Sequence, residues 1–356
     1  MKRTMLISVA ILITTFTAAS AQIDDQASRR AHAHPVVFDT DADFDDTVAL
    51  AALAEQHIKG EIDLRAVTIS NNGGGLPGKG YQHVRCLLNS LGLDDIPVAD
   101  ATYNLPHAFP ARLRFGIDFI LDASVPDCAA GHVAPTQSAS ELLAREIENA
   151  DGRLQLIAVG PLTNVALAID RLNQERPMRA AILIDRAYIE SGAVNVPGGL
   201  EGVPGFDNTQ TLNTWGDPAA AQAVFTSLRP GALFLVPHDA TNFVPVRLPY
   251  LTLLNTNAGT PAARYVATLM NNPLLVGAVQ AGLDVFWWDP LAALAASDNH
   301  LVEYRWMRIT VIQDGVSSGR TIESPTGTFM RVGVSADTAL FESTLLDVLN
   351  GVEHHP

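Results

Sequence analysis

Cysteine and basic residues are scarce in this chain of 356 residues. Its 2 cysteines are too few for a cysteine-based zinc site. Only 23 lysines and arginines stand against 38 aspartates and glutamates, so no basic stripe is available to neutralise the phosphates of a nucleic acid. The 47% share of hydrophobic residues excludes a disordered polymer. With a formal net charge of −15, the chain suits small neutral ligands and cations better than nucleic acid.

Long apolar runs are also missing, and the one near the start is short. Lys2 and Arg3 precede a mostly apolar run over residues 5–18, and Ala19-Ser20-Ala21 then offers small residues at the position of a cleavage site. The run is shorter than the roughly 20 residues that a membrane-spanning helix needs. We therefore expect residues 1–21 to be a secretory signal peptide, with an uncleaved anchor as the alternative.

Removal of this segment would leave residues 22–356 as a periplasmic or secreted domain without membrane association. In an oxidising compartment, Cys86 and Cys128 either form one disulfide or remain two buried thiols. No linker rich in proline, glycine or serine divides residues 22–356, so we expect a single domain.

The remaining chain alternates between strand and helix patterns. Apolar runs and helical periodicity predict strands over 35–38, 64–70, 154–159, 180–184 and 232–236, and helices over 45–57, 82–91, 138–149, 162–172, 218–227, 261–270 and 291–296. Two further strands, over 308–313 and 328–334, and a last helix over 340–349 complete the pattern. This alternation predicts an α/β fold, an open and mostly parallel sheet with helices on both faces. In such sheets ligands bind beyond the carboxyl ends of the strands.

The loop after the first strand is strongly acidic. Residues 39–46 contain five aspartates in eight positions. A solvated acidic loop is the alternative, but crowded like charges repel unless a cation neutralises them, and hard divalent cations prefer oxygen ligands. The sequence therefore predicts a metal site at the carboxyl end of this strand.

Three known patterns compete for the acidic loop. An EF-hand needs glycine at the sixth position and glutamate at the twelfth, where this chain has Phe44 and Leu50. A haloacid-dehalogenase-like phosphohydrolase would use Asp39 as nucleophile, but that family expects threonine or valine where Asp43 stands. The third pattern is Asp-Thr-Asp, three residues, Asp-Asp and an apolar helix. With Asp41 as its second aspartate, it resembles the N-terminal signature of the inosine-uridine-type nucleoside hydrolases.

Further segments resemble the same family in the same order. They are Asn72 after the second strand, Gly160-Pro161-Leu162-Thr163-Asn164, Asn213 before Asp217-Pro218, His238-Asp239, and Asp289-Pro290. Each segment alone is weak, but the ordered set extends from residue 36 to about residue 341. The resemblance implies a Rossmann-like nucleoside hydrolase fold and a homo-oligomer, either a dimer or a tetramer.

The resemblance also implies a site and a reaction. A Ca²⁺ ion would be held by Asp41, Asp46, Asp289 and the backbone carbonyl of Val159, and the ribose by Asn72, Asn208 and Asn213. Asp45, next to Asp46, is the predicted base that takes a proton from the attacking water. Attack at C1′ would release ribose and a free base from a nucleoside. Asp39 is expected to orient the acidic loop.

Two positions depart from the family pattern. The family carries glutamate where Thr211 stands, at the 5′ end of the sugar. Either Glu201, Asp207 or Gln210 compensates for it, or the substrate is modified at that end. The residue before Asp289 is Trp288, where pyrimidine-accepting members carry a histidine that is a candidate general acid. A tryptophan there favours stacking on a purine base. A Ca²⁺-dependent riboside-binding protein with little turnover remains the alternative to an enzyme.

Overall fold

The structure, a computed structural model, describes residues 33–100, 106–125, 137–199 and 206–352. The expected signal peptide over 1–21, Cys128 and Glu201 lie outside these residues. Export of the chain and the state of its cysteines therefore remain predictions. Among the residues described, no helix is both long and apolar enough to cross a membrane.

A sheet of nine strands forms the centre of the part that the structure describes. The strands are β1 (His34–Thr40), β2 (Ile62–Ile69), β3 (Val98–Asp100), β4 (Leu154–Ala158), β5 (Ile184–Glu190), β6 (Leu233–Val236), β7 (Val302–Val311), β8 (Thr321–Glu323) and β9 (Thr328–Ala336). Their order across the sheet is β3-β2-β1-β4-β5-β6-β9-β7-β8. Strands β1 to β6 are parallel to their neighbours, β9 is parallel to β6, and β7 pairs antiparallel with β8 and β9. The predicted α/β class with a mostly parallel sheet is confirmed.

Helices cover both faces of this sheet. They are α1 (Phe44–Lys59), α2 (Lys79–Ser90), α3 (Ala111–Ser124), α4 (Ala139–Asn149), α5 (Thr163–Glu175), α6 (Arg179–Leu183), α7 (Leu212–Gly216), α8 (Pro218–Ser227), α9 (His238–Thr241), α10 (Leu248–Thr256), α11 (Pro261–Met270), α12 (Pro273–Gln280), α13 (Trp288–Ala295) and α14 (Thr338–Leu349). Neighbouring residues of β1 point to opposite faces of the sheet, because side chains alternate along a strand. Val37 packs in a core with α4, α5 and α8, whereas Phe38 packs in a core with α1, α11, α13 and α14.

Helix α1 is buried along most of its length because its middle is apolar on every side. Residues 48–54 are all buried against the sheet and the helices α11, α13 and α14. The helix begins with a capping box, in which the Asp43 side chain accepts from the backbone of Asp46 and the Asp46 side chain accepts from the backbone of Asp43. It ends at Gly60, whose φ of 76° is the left-handed conformation that glycine adopts without strain. The capping box thus fixes Asp43 and Asp46 at the start of the helix.

The strand predicted over residues 180–184 is wrong. Residues Arg179–Leu183 form the short helix α6, and strand β5 follows at Ile184–Glu190. Ala180, Ala181 and Leu183 are good helix formers. Strand β5 begins at the next residue, Ile184, and its last four residues are all buried. Helix α3 was missed because Phe115 and Phe119 are exposed and obscure its apolar periodicity.

Candidate active site

The acidic loop between β1 and α1 wraps around the Asp46 side chain. Its Oδ1 atom accepts from the backbone N–H of Asp41 at 3.0 Å and from the Thr40 hydroxyl, and its Oδ2 atom accepts from the N–H of Asp43 at 3.1 Å. Ala42 takes a left-handed conformation with φ of 61°, which an alanine adopts only where neighbouring contacts require it. The bonds to Asp46 therefore give the loop a defined shape at the carboxyl end of β1.

Three carboxylates of this region meet below the cavity. One oxygen each from Asp45, Asp46 and Asp289 lies within 4.8 Å of the others, and all three side chains are buried. The backbone N–H of Asp289 approaches Oδ2 of Asp45 at 3.4 Å. Asp289 is the second residue of α13, which follows α12 and a single bridge between Pro245 and Phe286. Asp289 therefore follows a helix and an isolated bridge and not a strand of the main sheet, and its side chain lies beside Asp46.

The charge balance of this group fits a cation. Burial raises the pKa of Asp45, Asp289 and Asp41 well above the usual range for a carboxyl, and repulsion from neighbouring aspartates raises it further. Among the described residues that line the cavity there is no lysine or arginine, although the charge of Arg114 interacts with Asp41. Buried carboxylates grouped in this way are the donor set that a hard divalent cation prefers.

Two glycine segments bring the neighbouring loops against Asp41. A Cβ atom on Gly160, which follows β4, would lie 2.8 Å from the backbone nitrogen of Asp41. A Cβ atom on Gly73 would lie 1.9 Å from Oδ2 of Asp41, and Gly75 donates its N–H to the Asp41 carbonyl at 2.7 Å. Only residues without a side chain fit at these two positions. Val159, directly before Gly160, is thereby held beside the acidic loop, and its N–H donates to the Asp39 carbonyl at 2.9 Å; its role as a carbonyl ligand stays a prediction.

A cavity of about 460 Å³ opens above these groups, a size that suits a small ligand. Its acidic floor is formed by Asp41, Asp45, Asp46 and Asp289, together with Glu190. Apolar and aromatic side chains also line the cavity, namely Phe44, Phe109, Leu113, Ile117, Phe286 and Trp288. The lining therefore offers a ligand both carboxylate oxygen atoms and aromatic rings.

The three predicted sugar-binding amides have different surroundings. Asn213 lines the cavity, and its Nδ2 atom donates to the Val159 carbonyl at 2.8 Å. Asn72 is buried beside the site, but its side chain binds the Ser70 hydroxyl and the Gly216 carbonyl and does not line the cavity. Asn208 is exposed in a turn, so the structure does not bring it together with the other two.

The two neighbouring tryptophans also have different surroundings. Trp287 is fully buried in the core, whereas Trp288 lines the cavity. The Trp288 ring lies 6.2 Å from the His238 ring and 5.6 Å from the Phe286 ring, measured between centroids. Burial lowers the pKa of His238 to about 4, so this ring is neutral at neutral pH. Trp288, Phe286 and the neutral His238 thus form one group of rings in the cavity lining.

Asp39 lies behind the acidic loop. Its Oδ1 atom accepts from the Thr68 hydroxyl at 2.6 Å and from Nδ2 of Asn164 at 2.9 Å, and the residue does not line the cavity. These bonds tie β1 to β2 and α5, in agreement with the orienting role expected for Asp39. A nucleophile must reach its substrate, so the phosphohydrolase alternative does not fit this placement.

Glu190 was missed by sequence reasoning. It is the last residue of β5, is 3% exposed and lines the cavity next to Asn213. The signal was available, since an acidic residue at the carboxyl end of an apolar parallel strand lies at the ligand-binding edge of the sheet. It was lost because the strand had been predicted over 180–184, which placed Glu190 in a loop.

The fold and this site together define an α/β protein with a group of buried aspartates that could hold a metal ion, beside a partly aromatic cavity. A sequence profile described as inosine-uridine preferring nucleoside hydrolase matches residues 36–343. The chain belongs to this family, which confirms the resemblance seen in the sequence.

Individual relatives match about half of this chain, at about 30% identity. The chain is 31% identical to a pyrimidine-specific ribonucleoside hydrolase of Citrobacter koseri over 54% of this chain and 57% of the relative. It is 30% identical to uridine nucleosidase 1 of Arabidopsis thaliana over 54% of this chain and 53% of that protein. The chain thus spans little more than half the length of these two relatives.

Solved structures resemble this fold over most of the chain. The inosine-uridine preferring nucleoside hydrolase from Bacillus anthracis superposes with a TM-score of 0.76 at 21% identity, covering 90% of this chain and 100% of the other. The purine-preferring ribonucleoside hydrolase from Gardnerella vaginalis gives a TM-score of 0.75 at 21% identity, covering 89% and 98%. At this identity the likeness concerns the fold.

Proposed function

We propose that this protein hydrolyses the N-glycosidic bond of ribonucleosides to ribose and a free base, with purine nucleosides favoured. The observation that carries the proposal is the meeting of Asp45, Asp46 and Asp289 at a cavity that aromatic side chains also line. Membership of the nucleoside hydrolase family supports the reaction class. The two kinds of lining group match the two halves of a nucleoside, because the sugar is rich in hydroxyls and the base is a flat ring.

We propose Ca²⁺ as the cofactor, held by Asp41, Asp46, Asp289 and the Val159 carbonyl. All four groups present oxygen atoms, which Ca²⁺ accepts in flexible numbers. When bound, the ion would orient the ribose hydroxyls and make a water molecule more acidic. Without a cation, burial raises the pKa of Asp41 and Asp289, and repulsion from neighbouring carboxylates raises it further.

Asp45 is the proposed base that accepts the proton of the attacking water. Its Oδ2 atom faces the N–H of Asp289, so the carboxylate is directed into the site. The close grouping of Asp45 with Asp46 and Asp289 also favours a second assignment, in which Asp45 is a metal ligand and Asp41 accepts the proton. The two assignments differ in which carboxylate the ion needs.

In the cavity lining, Trp288 is the proposed stacking surface for the base. Both pyrimidine-specific and purine-preferring relatives exist, so the preference for purines rests on this tryptophan alone. His238 lies beside Trp288 and is neutral at neutral pH, so it holds no proton to donate as an imidazolium. Stacking would instead raise the basicity of the departing base.

Release of free base and reducing sugar from inosine, adenosine, guanosine, uridine and cytidine tests the proposal, with Ca²⁺ and with a chelator. We expect release that depends on Ca²⁺ and is faster for purines. Asp45→Asn should abolish turnover and keep calorimetric Ca²⁺ affinity, whereas Asp41→Asn should weaken that affinity; the reverse result supports the second assignment. Asp170→Asn, an exposed aspartate on α5, is the matched control. No release from any nucleoside refutes hydrolysis of these substrates.

A binding function without turnover is the second candidate. Thr211 favours it, because the family carries a glutamate there and the Thr211 hydroxyl is engaged by the N–H of Gly192 at 2.9 Å. Calorimetry with inosine on the Ca²⁺-loaded protein separates the two: tight binding with no released base supports a binding protein, and released base refutes it.

We also propose that residues 22–356 act in the periplasm or outside the cell as a dimer or tetramer. The proposal is supported by the charge and apolar pattern of residues 1–21 and by the family resemblance. Mass spectrometry of the protein from its cellular fraction and light scattering of the purified chain test the two parts.

A further inference from the structure

Glu190 has one side-chain oxygen that is used by the protein and one that is not. Its Oε2 atom accepts from Nδ2 of Asn213 at 2.8 Å. Its Oε1 atom is buried and has no hydrogen-bond partner among the described residues, and Nε2 of His238 is 3.9 Å away. A buried carboxylate oxygen without a partner is costly, and in a cavity wall it is placed to bind a ligand.

The groups that could replace the missing glutamate at Thr211 do not face the cavity. The Thr211 hydroxyl is paired with the N–H of Gly192 and with the Thr214 hydroxyl at 2.6 Å. The Gln210 amide donates to the carbonyls of two residues in the 313–320 loop, at 3.2 and 2.5 Å. Asp207 accepts from the N–H of Thr209 at 2.8 Å. Neither Gln210 nor Asp207 lines the cavity, and Glu201 lies outside the described residues.

We propose that Glu190 recognises the 5′ hydroxyl of the ribose through Oε1, an inference that rests on the proposed function. The vicinal 2′ and 3′ hydroxyls suit the cation held by the aspartates, which leaves the 5′ hydroxyl without a partner. Asn213 donates to both the Val159 carbonyl and Glu190, so Glu190 lies one amide away from the metal-binding group. A carboxylate from β5 thus takes the place of the glutamate that the loop before α7 lacks.

This assignment restricts the substrate class to sugars with a free 5′ hydroxyl. A 5′ hydroxyl can donate to Oε1 of Glu190, whereas a 5′ phosphate would bring negative charge against the neighbouring aspartates. The site therefore selects nucleosides over nucleoside 5′-monophosphates.

Steady-state kinetics with inosine and 5′-deoxyinosine test the proposal. Glu190→Ala should lower kcat/KM for inosine by about 5- to 100-fold more than it lowers kcat/KM for 5′-deoxyinosine, because only inosine loses a buried hydrogen bond from its 5′ hydroxyl. Glu190→Gln should lose less, since its amide can accept from Asn213 and donate to the sugar oxygen. Glu146→Ala, a buried glutamate on α4 outside the cavity, is the control.

Three results would overturn the proposal. One is an equal loss of kcat/KM for both substrates in Glu190→Ala, which indicates a structural role. Another is a large loss of calorimetric Ca²⁺ affinity in Glu190→Gln, which makes Glu190 a metal ligand. The last is equal kcat/KM for the two substrates in the unmodified protein, a comparison that needs no variant to fold.

Binding measurements separate this proposal from the proposed function. If no nucleoside is hydrolysed, calorimetry still compares the affinity of the Ca²⁺-loaded protein for inosine and 5′-deoxyinosine. If inosine binds more tightly than 5′-deoxyinosine and Glu190→Ala removes this difference, the role of Glu190 is supported. Only the proposed hydrolysis is then refuted. Absence of binding to either compound overturns both.

Discussion

Removal of the cation should destabilise the folded protein, and more so as the pH rises. The three carboxylates of Asp45, Asp46 and Asp289 are buried within 4.8 Å of one another, so a bound cation removes a repulsion that the empty site retains. A ligand present at about 100 times its Kd stabilises the folded state by about 2.7 kcal/mol. At about 2 to 4 °C per kcal/mol, Ca²⁺ should raise the Tm by about 5 to 10 °C.

The sign of the pH dependence follows from the raised pKa values. Burial raises the pKa of Asp39 and Asp43 to about 7, and it raises the pKa of Asp45 and Asp289 well above the usual range. Without the ion, these groups take protons more readily in the folded state than in the unfolded chain. The free energy of unfolding should therefore fall as the pH rises from about 4 through these folded-state pKa values. Ca²⁺ should offset that loss, so its effect on Tm is largest at high pH.

Thermal melts between pH 5 and pH 8.5, with millimolar Ca²⁺ or with a chelator, measure this effect. Asp289→Asn should shrink the difference between the two series, and Asp170→Asn should leave it unchanged. A chelator that leaves the Tm unaltered at pH 8 refutes the cation site. A difference that grows toward low pH refutes the charge argument.

Three further predictions concern single residues. Gly160→Ala should lower the free energy of unfolding by about 1 to 3 kcal/mol in urea titrations, because its Cβ would lie 2.8 Å from the nitrogen of Asp41; Gly277→Ala, with open space around it, should not destabilise the protein. Trp288→Ala should raise KM for inosine about 10-fold or more, and raise it less for uridine, if stacking on the base contributes about 1 to 3 kcal/mol; equal effects would argue against stacking. His238 should show no change of ring charge by NMR between pH 5.5 and pH 8, because burial lowers its pKa to about 4; a titration near pH 6.5 would contradict this.

Much of the fold could be predicted because the chain alternates strands and helices with few exceptions. The strand before Asp39 and the apolar helix after Asp46 were placed nearly as the structure has them. Their meeting with Asp289 was not available from periodicity, since α13 follows another helix and not a sheet strand. It was predicted from the resemblance to a family.

The rest of the site depends on features that residue patterns do not carry. Glu190 was missed because helix α6 precedes β5 and moved the apparent end of the strand. Asn72 was identified, but local bonds to Ser70 and Gly216 decide where its side chain points. Asn208 is the same residue type in an exposed turn, the commonest place for an asparagine.

The acidic group is built from distant parts of the chain, with Asp289 placed 244 residues after Asp45. During synthesis, the first two carboxylates emerge long before the third, and nothing holds the early ones close to it until α1 and α13 pack together. Because a preformed ion site rarely exists in an unfolded chain, the free energy of cation binding belongs to the completed fold. Affinity for the cation thus reports whether the first and last thirds of the protein have packed against each other.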